Sequence, residues 1–262
     1  MSLTLFEKSK PVIAALHLPD FALNRHLSVS WYEDYAITNA RIFAEAGIPW
    51  IKLQDQTRTQ GAAAPDTLAR MAALARLIRA EVPGVGLGII VEAHDPSAAL
   101  SVADAAGADF VRLKVFVGGA MTAQGPRSGL GAEAVAHRAA LGRAGIALLA
   151  DVHDRTAVPM SGESQPFAAE WAVKTGADGL VVTGSSFADT LQRIAAVRAA
   201  GVRRPVLIGG GVTEANVAEA LTASDGVVVS SALMRRNAGP GDLKCWDPDL
   251  CRRFMDAVRV PA

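Results

Sequence analysis

Short runs of apolar and β-branched residues recur along the chain, and longer alanine-rich segments of helical length separate them. A continuous run of this kind is typical of a parallel strand that is buried on both faces, and a crossover helix must follow such a strand. The pattern is clearest in the second half of the chain, where each run ends in glycine or polar residues. Repeated strand–helix units favour an α/β barrel or a doubly wound sheet.

Counting these units along the chain gives eight. The predicted strands are Val12–Leu18, Trp50–Gln54, Gly86–Ala93, Phe110–Val115, Ile146–Val152, Gly179–Val182, Val206–Ile208 and Val227–Val229. The predicted helices run from after Ser30 to Ala46 and over Pro65–Ala80, Pro96–Ala106, Ala132–Arg143, Asp189–Ala200, Glu214–Ala223 and Asp247–Val258. A helix C-cap glycine precedes five of the strands, at Gly47, Gly107, Gly145, Gly176 and Gly201. We therefore expect a (β/α)8 TIM barrel, with one domain over residues 1–262.

Composition agrees with a barrel whose core consists of small aliphatic side chains, because half of the residues are hydrophobic and only 5% are aromatic. The 26 basic residues balance the 26 acidic ones, so charge gives no reason to expect nucleic acid or an anionic membrane as a partner. Two cysteines, Cys245 and Cys251, match neither a disulfide framework nor a zinc motif. No apolar run reaches the roughly 18 residues of a membrane span and no signal peptide is visible, so a cytoplasmic protein is expected.

Strand alternation predicts which polar side chains point into the barrel, because alternate residues face the helices or the interior. The inward set is His17, Lys52, Gln54, Glu92, Arg112, Lys114, Asp151, His153 and Thr183. These residues lie at the C-terminal ends of the strands, the face on which barrel active sites are built. Buried charges are costly unless they are paired, so the set indicates either an active site or a salt-bridged plug without chemistry.

Roles follow from the residue types. Asp151 and His153 can form an acid–base pair, and Lys114 beside Arg112 can act as a Schiff-base nucleophile or proton shuttle with Glu92 as its partner. His17 is a further catalytic candidate, and Lys52, Gln54, Thr183 and Gly184 are candidates for substrate binding. His17, Glu92, Asp151 and His153 could also offer oxygen and nitrogen ligands to a divalent metal, but no spacing motif supports one. The sequence requires no cofactor.

A phosphate site is predicted on the last two units. Gly209-Gly210-Gly211 follows the seventh strand and Ser230-Ser231 follows the eighth, which is the order of the two halves of a barrel phosphate site. Glycine runs also serve tight turns. We expect the amides of Gly210, Gly211, Ser230 and Ser231 to hold the anion, with Thr183 and Gly184 nearby.

Two long loops, Gly118–Gly131 and Pro159–Pro166, follow strands four and five, where lids form over barrel mouths. Within the first loop, Met121–Ser128 is expected to close over a substrate.

The chain also resembles the BtpA/SgcQ family of barrel proteins, within the ribulose-phosphate-binding barrels. The resemblance rests on Val12–Leu18, Gly119–Gly125, Ala150–Val152, Ala157–Pro159, Val182–Gly184 and Ile208–Thr213. The chain departs from the family pattern at Asp20–His26, at Gln54-Asp55, at Ala93–Asp95 and at Thr156, which marks a divergent branch.

Two classes of function stay open. The polar mouth favours an enzyme that acts on a small phosphorylated sugar or related metabolite, with isomerase, epimerase or aldolase-type lyase chemistry. The alternative is a non-catalytic biogenesis or assembly factor, because the resembled family was named for a part in photosystem I accumulation, although its barrel resembles that of an enzyme. A homo-oligomer is compatible with either class.

Overall fold

A computed structural model describes residues 4–7, 9–160, 162–239 and 241–259. Eight parallel strands close into a barrel in which each strand pairs with its sequence neighbours and the first pairs with the last. They are β1 Val12–His17, β2 Trp50–Gln54, β3 Gly86–Ile90, β4 Phe110–Leu113, β5 Ala147–Val152, β6 Gly179–Val182, β7 Val206–Ile208 and β8 Gly226–Val229. The predicted (β/α)8 fold is confirmed.

One helix follows each strand and packs outside the barrel. These helices are α1 Val29–Glu45, α2 Pro65–Glu81, α3 Ala98–Ala106, α4 Gly131–Ala140, α5 Gln165–Thr175, α6 Phe187–Ala199, α7 Val217–Ala223 and α8 Pro248–Arg259. A short helical segment, Thr4–Glu7, precedes β1, and a 3₁₀ turn, Ser231–Leu233, follows β8. Among the described residues, no helix is both long and apolar enough to cross a bilayer.

Two helix ends differ from the prediction because of local capping. The N-cap of α1 is Ser28, whose hydroxyl accepts a hydrogen bond from the Trp31 amide. The helix therefore begins before Ser30, after which its start was predicted. The α4 helix ends at Ala140, three residues before the prediction, because the left-handed glycine there is Gly142. The expected C-cap at Gly145 was therefore wrong.

The barrel interior has an apolar layer toward the beginnings of its strands. Trp50 and Phe110 cross this layer with their rings in an edge contact. Two glycines of β3 make room for them: a Cβ at Gly86 would lie 1.9 Å from the Trp50 ring, and one at Gly88 would lie 2.0 Å from the Phe110 ring. The other members of the layer are Leu5, Ile13, Ala15, Ala147, Leu149, Val181, Leu207 and Val228.

Three arginine–aspartate pairs brace the N-terminal end of the barrel in the same way. Each aspartate directly precedes an even-numbered strand. It accepts a hydrogen bond from a backbone amide near the start of the odd-numbered strand before it. It also forms an ion pair with an arginine on the helix that leads into that odd-numbered strand. The three sets are Arg79–Asp109–Leu87, Arg138–Asp178–Leu148 and Arg198–Asp225–Val206. Each pair thus ties a helix to two adjacent strands.

Part of the predicted lid is a small sheet over the other end of the barrel. Gly119–Thr122 pairs with Gly125–Ser128 on one side and with Val158–Pro159 on the other, both antiparallel. Arg127 joins this hairpin to the loop after β2, because its guanidinium donates to Thr59 O at 2.9 Å and to Gln60 Oε1 at 3.1 Å. Residue 161, within the second predicted loop, lies outside the described residues.

Candidate active site at the barrel mouth

A cavity of about 290 Å³ opens at the C-terminal ends of the strands. Five cationic side chains line it, and Asp154 is the one acidic side chain among its described lining residues. The cations are Lys52, Arg58, Arg112, Lys114 and Arg155. The predicted inward residues His17, Gln54 and Thr183 line the same cavity, together with the glycine turn after β7 and the serines after β8. The structure therefore brings most of the predicted site residues into one place.

Arg112 on β4 and Asp151 on β5 form a two-bonded ion pair at the base of the mouth. The guanidinium donates from Nε to Asp151 Oδ2 at 2.9 Å and from Nη2 to Oδ1 at 2.6 Å. Burial raises the pKa of the Asp151 carboxyl, and the Arg112 guanidinium opposes this effect. Both carboxylate oxygens are thus committed to Arg112, which holds the guanidinium in a fixed position.

A second network runs from β2 to the ends of β3 and β4. The Lys52 Nζ donates to Gln54 Oε1 at 2.6 Å, and Gln54 Nε2 donates to Glu92 Oε1. Glu92 also pairs with Lys114 at 2.9 Å and, through Oε2, with Arg58 at 3.5 Å. The predicted pairing of Lys114 with Glu92 is present in the structure, and Lys52 reaches Glu92 only through an amide.

Two groups beside the mouth, the partly buried His17 and the buried Asp55, have pKa values far from their ordinary ranges. Burial, reinforced by Lys52, Lys114 and other nearby cations, lowers the pKa of His17 from 6.5 to about 3. Burial raises the pKa of Asp55, at the end of β2, from 3.8 to about 7. The His17 ring is therefore neutral at pH 7, with its Nδ1 3.5 Å from Ser230 Oγ.

The β7 and β8 side of the mouth consists of turns without charged side chains. Within the described part of the chain, the amides of Gly210, Gly211, Ser230 and Ser231 have no protein acceptor. Gly209 must lack a side chain, because a Cβ there would lie 2.1 Å from Thr183 Oγ1 and 3.3 Å from an Arg112 nitrogen. Arg112 thus lies next to the turn, and the turn can present amides to an anion in the mouth.

Gly184 is placed differently from its prediction. Its amide donates to Thr190 Oγ1 at 2.8 Å, and a Cβ at Gly184 would lie 2.6 Å from the Thr190 nitrogen. It packs against the start of α6 and does not line the mouth cavity, so it is not positioned for the substrate binding predicted from the sequence. The Thr183 side chain lines the mouth as expected.

The predicted facing of His153 is wrong, and its backbone explains why. β5 ends at Val152, and His153 has a left-handed φ of 56°, which breaks the alternation of the strand. Its ring lines a small side cavity beside the mouth, with Nε2 3.5 Å from Glu163 Oε1. Asp154, the next residue, lines the mouth instead, 3.9 Å from the Lys114 Nζ.

Five charged residues near the mouth did not emerge from the sequence: Asp55, Arg58, Arg127, Asp154 and Arg155. All five lie beyond the ends of strands or on the hairpin, where side-chain alternation is a weaker guide. Alternation did place Glu92 and Lys114 correctly, although both lie one or two residues past a strand. Among the described residues, no group of three or more His, Cys, Asp or Glu side chains is arranged to hold a metal ion.

Residues 8–259 match the model of the BtpA family. An uncharacterised protein of Pyrococcus horikoshii is 33% identical over 233 residues, which cover 85% of this chain and 87% of that protein. The photosystem I biogenesis protein BtpA of Synechocystis is 31% identical over 176 residues, covering 66% of this chain and 60% of its own length.

Solved structures share the barrel. A tryptophan synthase chain from Mycobacterium tuberculosis superposes with a TM-score of 0.62 at 15% identity, over 96% of this chain and 94% of that one. Identity at this level shows the fold alone. The family model, which matches nearly the whole chain, shows that this chain belongs to the BtpA family.

Proposed function

We propose that this chain is an enzyme that acts on a small phosphorylated sugar or related metabolite, with isomerase, epimerase or aldolase-type lyase chemistry at the barrel mouth. The observation that carries the proposal is the composition of one cavity. Backbone amides without a protein acceptor line one side of it, and cationic side chains line the other. An anionic ligand would meet both.

The phosphate is assigned to the turns after β7 and β8. Oriented amides of Gly210, Gly211, Ser230 and Ser231 would donate to its oxygens, as backbone concavities do in other anion sites. The excess of cations over carboxylates in the lining favours a ligand with negative charge. Arg112 lies between the turn and the charged side, so it could contact the phosphate or the reacting oxygen.

The chemistry is assigned to the charged side of the mouth. Arg112 and Lys114 would stabilise an enolate oxygen, while Asp151 and Glu92 hold those two cations in place. Proton transfer at the carbon beside a carbonyl is assigned to Asp154, which lines the mouth where His153 was expected. Neutral His17 would accept or donate a hydrogen bond to the substrate.

The test is binding of inorganic phosphate and dihydroxyacetone phosphate, measured by calorimetry on the parent and on Gly210→Leu. A Cβ at Gly210 has only Thr183 Cγ2 nearby, at 3.9 Å, so this variant is expected to fold while its side chain obstructs the turn. Loss of two or three charge-assisted hydrogen bonds predicts binding weaker by about 100-fold. Gly145→Leu is the matched control, because a Cβ at Gly145 meets no atom within 4 Å and the residue lies ahead of β5, at the opposite end of the barrel.

If Gly210→Leu binds the probes as tightly as the parent does, the phosphate site does not lie at this turn. If the parent binds neither probe, the proposal that this chain acts on a phosphorylated metabolite is wrong.

A second candidate is a non-catalytic biogenesis or assembly factor, since the Synechocystis relative is named a photosystem I biogenesis protein. The favouring observation is an exposed apolar pair on the small sheet above the mouth, Met121 and Val158, which lie directly opposite each other and are 46% and 68% exposed. This candidate predicts that Gly210→Leu leaves function in the cell intact, whereas Met121→Asp with Val158→Asp abolishes it.

A further inference from the structure

Lys52 is the most deeply buried amine of the mouth. It lies in the middle of β2 with 3% of its surface exposed, yet it lines the mouth cavity. Its Nζ donates to the amide oxygen of Gln54 at 2.6 Å. Among the described residues, no carboxylate lies within 4.0 Å of that nitrogen, which is unusual because buried lysines are ordinarily paired with an acid.

The carboxylates that could have paired with Lys52 are committed to other groups. Both oxygens of Asp151 accept from Arg112. Glu92 accepts from Gln54 and pairs with Lys114 and Arg58. An amide oxygen can accept a hydrogen bond from a neutral amine as well as from an ammonium, so Gln54 does not require Lys52 to be charged.

The surroundings favour the neutral form of this amine. Burial is the main cause that lowers the pKa of Lys52 well below its usual range, and the neighbouring cations Arg112 and Lys114 add to it. Glu92 and Asp151 act in the opposite direction without being direct partners. A neutral amine carries the lone pair that nucleophilic attack requires.

We infer that Lys52 is the nucleophilic amine of this barrel and condenses with the carbonyl group of a phosphorylated aldehyde or ketone. This inference rests on the proposed function, because the phosphate on the β7 and β8 turns would hold the carbonyl in the mouth. The Nζ lone pair forms a bond to the carbonyl carbon, and the oxygen takes up a proton. With a second proton, that oxygen leaves as water; of its two protons, one comes from the amine and one from solvent. The product is a protonated imine, which can accept the electron pair of a breaking C–H or C–C bond.

Lys114 is a different kind of residue, although the sequence favoured it for the same role. Its ammonium lies 2.9 Å from Glu92 and 3.9 Å from Asp154, so two carboxylates face it. This arrangement suits a fixed cation that stabilises developing negative charge. Lys52 is thus the nucleophile and Lys114 the fixed cation, whereas the sequence favoured Lys114 as the nucleophile.

The test is trapping of the imine with borohydride. The full chain is incubated with dihydroxyacetone phosphate or with glyceraldehyde 3-phosphate, reduced, digested and mapped by mass spectrometry over its six lysines. The expected result is one stable adduct, on Lys52. The adduct should fall to background in Lys52→Met and stay within about twofold of the parent in Lys174→Met, whose lysine is 71% exposed on α5.

Binding of inorganic phosphate by the parent is measured alongside, which separates this inference from the proposed function. If phosphate binds but neither probe gives an adduct on Lys52, Lys52 is not the nucleophile and the phosphate proposal stands. An adduct that forms on Lys114 or on surface lysines alone also overturns the inference. If the parent binds no phosphate and forms no adduct, the proposed function and this inference both fail.

Discussion

The two ends of the barrel both carry charged side chains, but they satisfy those charges in different ways. At the N-terminal end, Asp109, Asp178 and Asp225 each combine one arginine with one strand amide, and the same arrangement recurs three times around the barrel. At the mouth, the charges are shared among β2, β3, β4 and β5, and cations are in excess. Among the described residues, no carboxylate lies within 4.0 Å of the Lys52 amine.

The proposed function assigns structural charges to the N-terminal end and functional ones to the mouth. A repeated pair that ties a helix to two strands needs no explanation beyond the fold. An uncompensated buried lysine beside unused backbone amides costs stability, and a plug built only for stability would pair it or replace it with an aliphatic residue. Under the proposed function, the mouth is therefore not the salt-bridged plug that the sequence left open.

The largest expected effect comes from matched substitutions at the two ends. Asp151→Asn leaves the buried Arg112 guanidinium without a counter-charge, which should lower the free energy of unfolding by about 3–5 kcal/mol. Asp225→Asn keeps an acceptor for the Val206 amide and removes a pair whose side chains are 33% and 40% exposed, so about 1 kcal/mol or less is expected. Urea denaturation of both variants measures the difference. Equal losses would show that the two ends do not differ in this respect.

A smaller effect should appear in how stability depends on pH. The pKa of His17 is about 3 in the folded state against 6.5, so its contribution is complete above pH 6.5 and is lost as pH falls toward 3. The pKa of Asp55 is about 7 in the folded state against 3.8, so its contribution is complete below pH 4 and is lost as pH rises toward 7. The two slopes oppose each other between pH 4 and 6.5.

Single substitutions should reveal the two opposing dependences of the free energy of unfolding on pH. Relative to the parent, His17→Asn should lose stability as pH rises through this window, and Asp55→Asn should gain it, each by at most about 1.4 kcal/mol per pH unit. Urea denaturation at pH 4.5, 5.5 and 6.5 gives the comparison. Profiles parallel to that of the parent would mean that these side chains are not buried in their neutral forms.

The fold was predictable because it depends on repetition. A one-residue error in any strand would have left seven other strand–helix units to define the barrel, and buried parallel strands carry a strong signal in their continuous apolar runs. Helix ends were less certain, since α1 and α4 begin or end at caps that depend on local hydrogen bonds.

The site was predictable mainly within the strands and became unreliable past their ends. Alternation placed Lys52 and Arg112 in the interior because both lie within strands. It failed at His153, the first residue past β5. The left-handed backbone of His153 turns its imidazole away from the mouth, and Asp154 lines the mouth instead. Alternation could not assign Lys52 its proposed role either, because that role depends on Asp151 and Glu92 being paired with Arg112 and Lys114, and such pairings appear only in three dimensions.

A crystal structure of the protein with inorganic phosphate tests the central claim most directly, because both ends of the barrel could attract the anion. Lys10, Arg198 and Arg203 line an open cavity of about 900 Å³ at the N-terminal end, which is the competing location. The predicted result is one phosphate at the mouth, within about 3 Å of the amide nitrogens of the Gly210-Gly211 and Ser230-Ser231 turns. Phosphate found only among the arginines of the N-terminal end, with the mouth turns uncontacted, would contradict it.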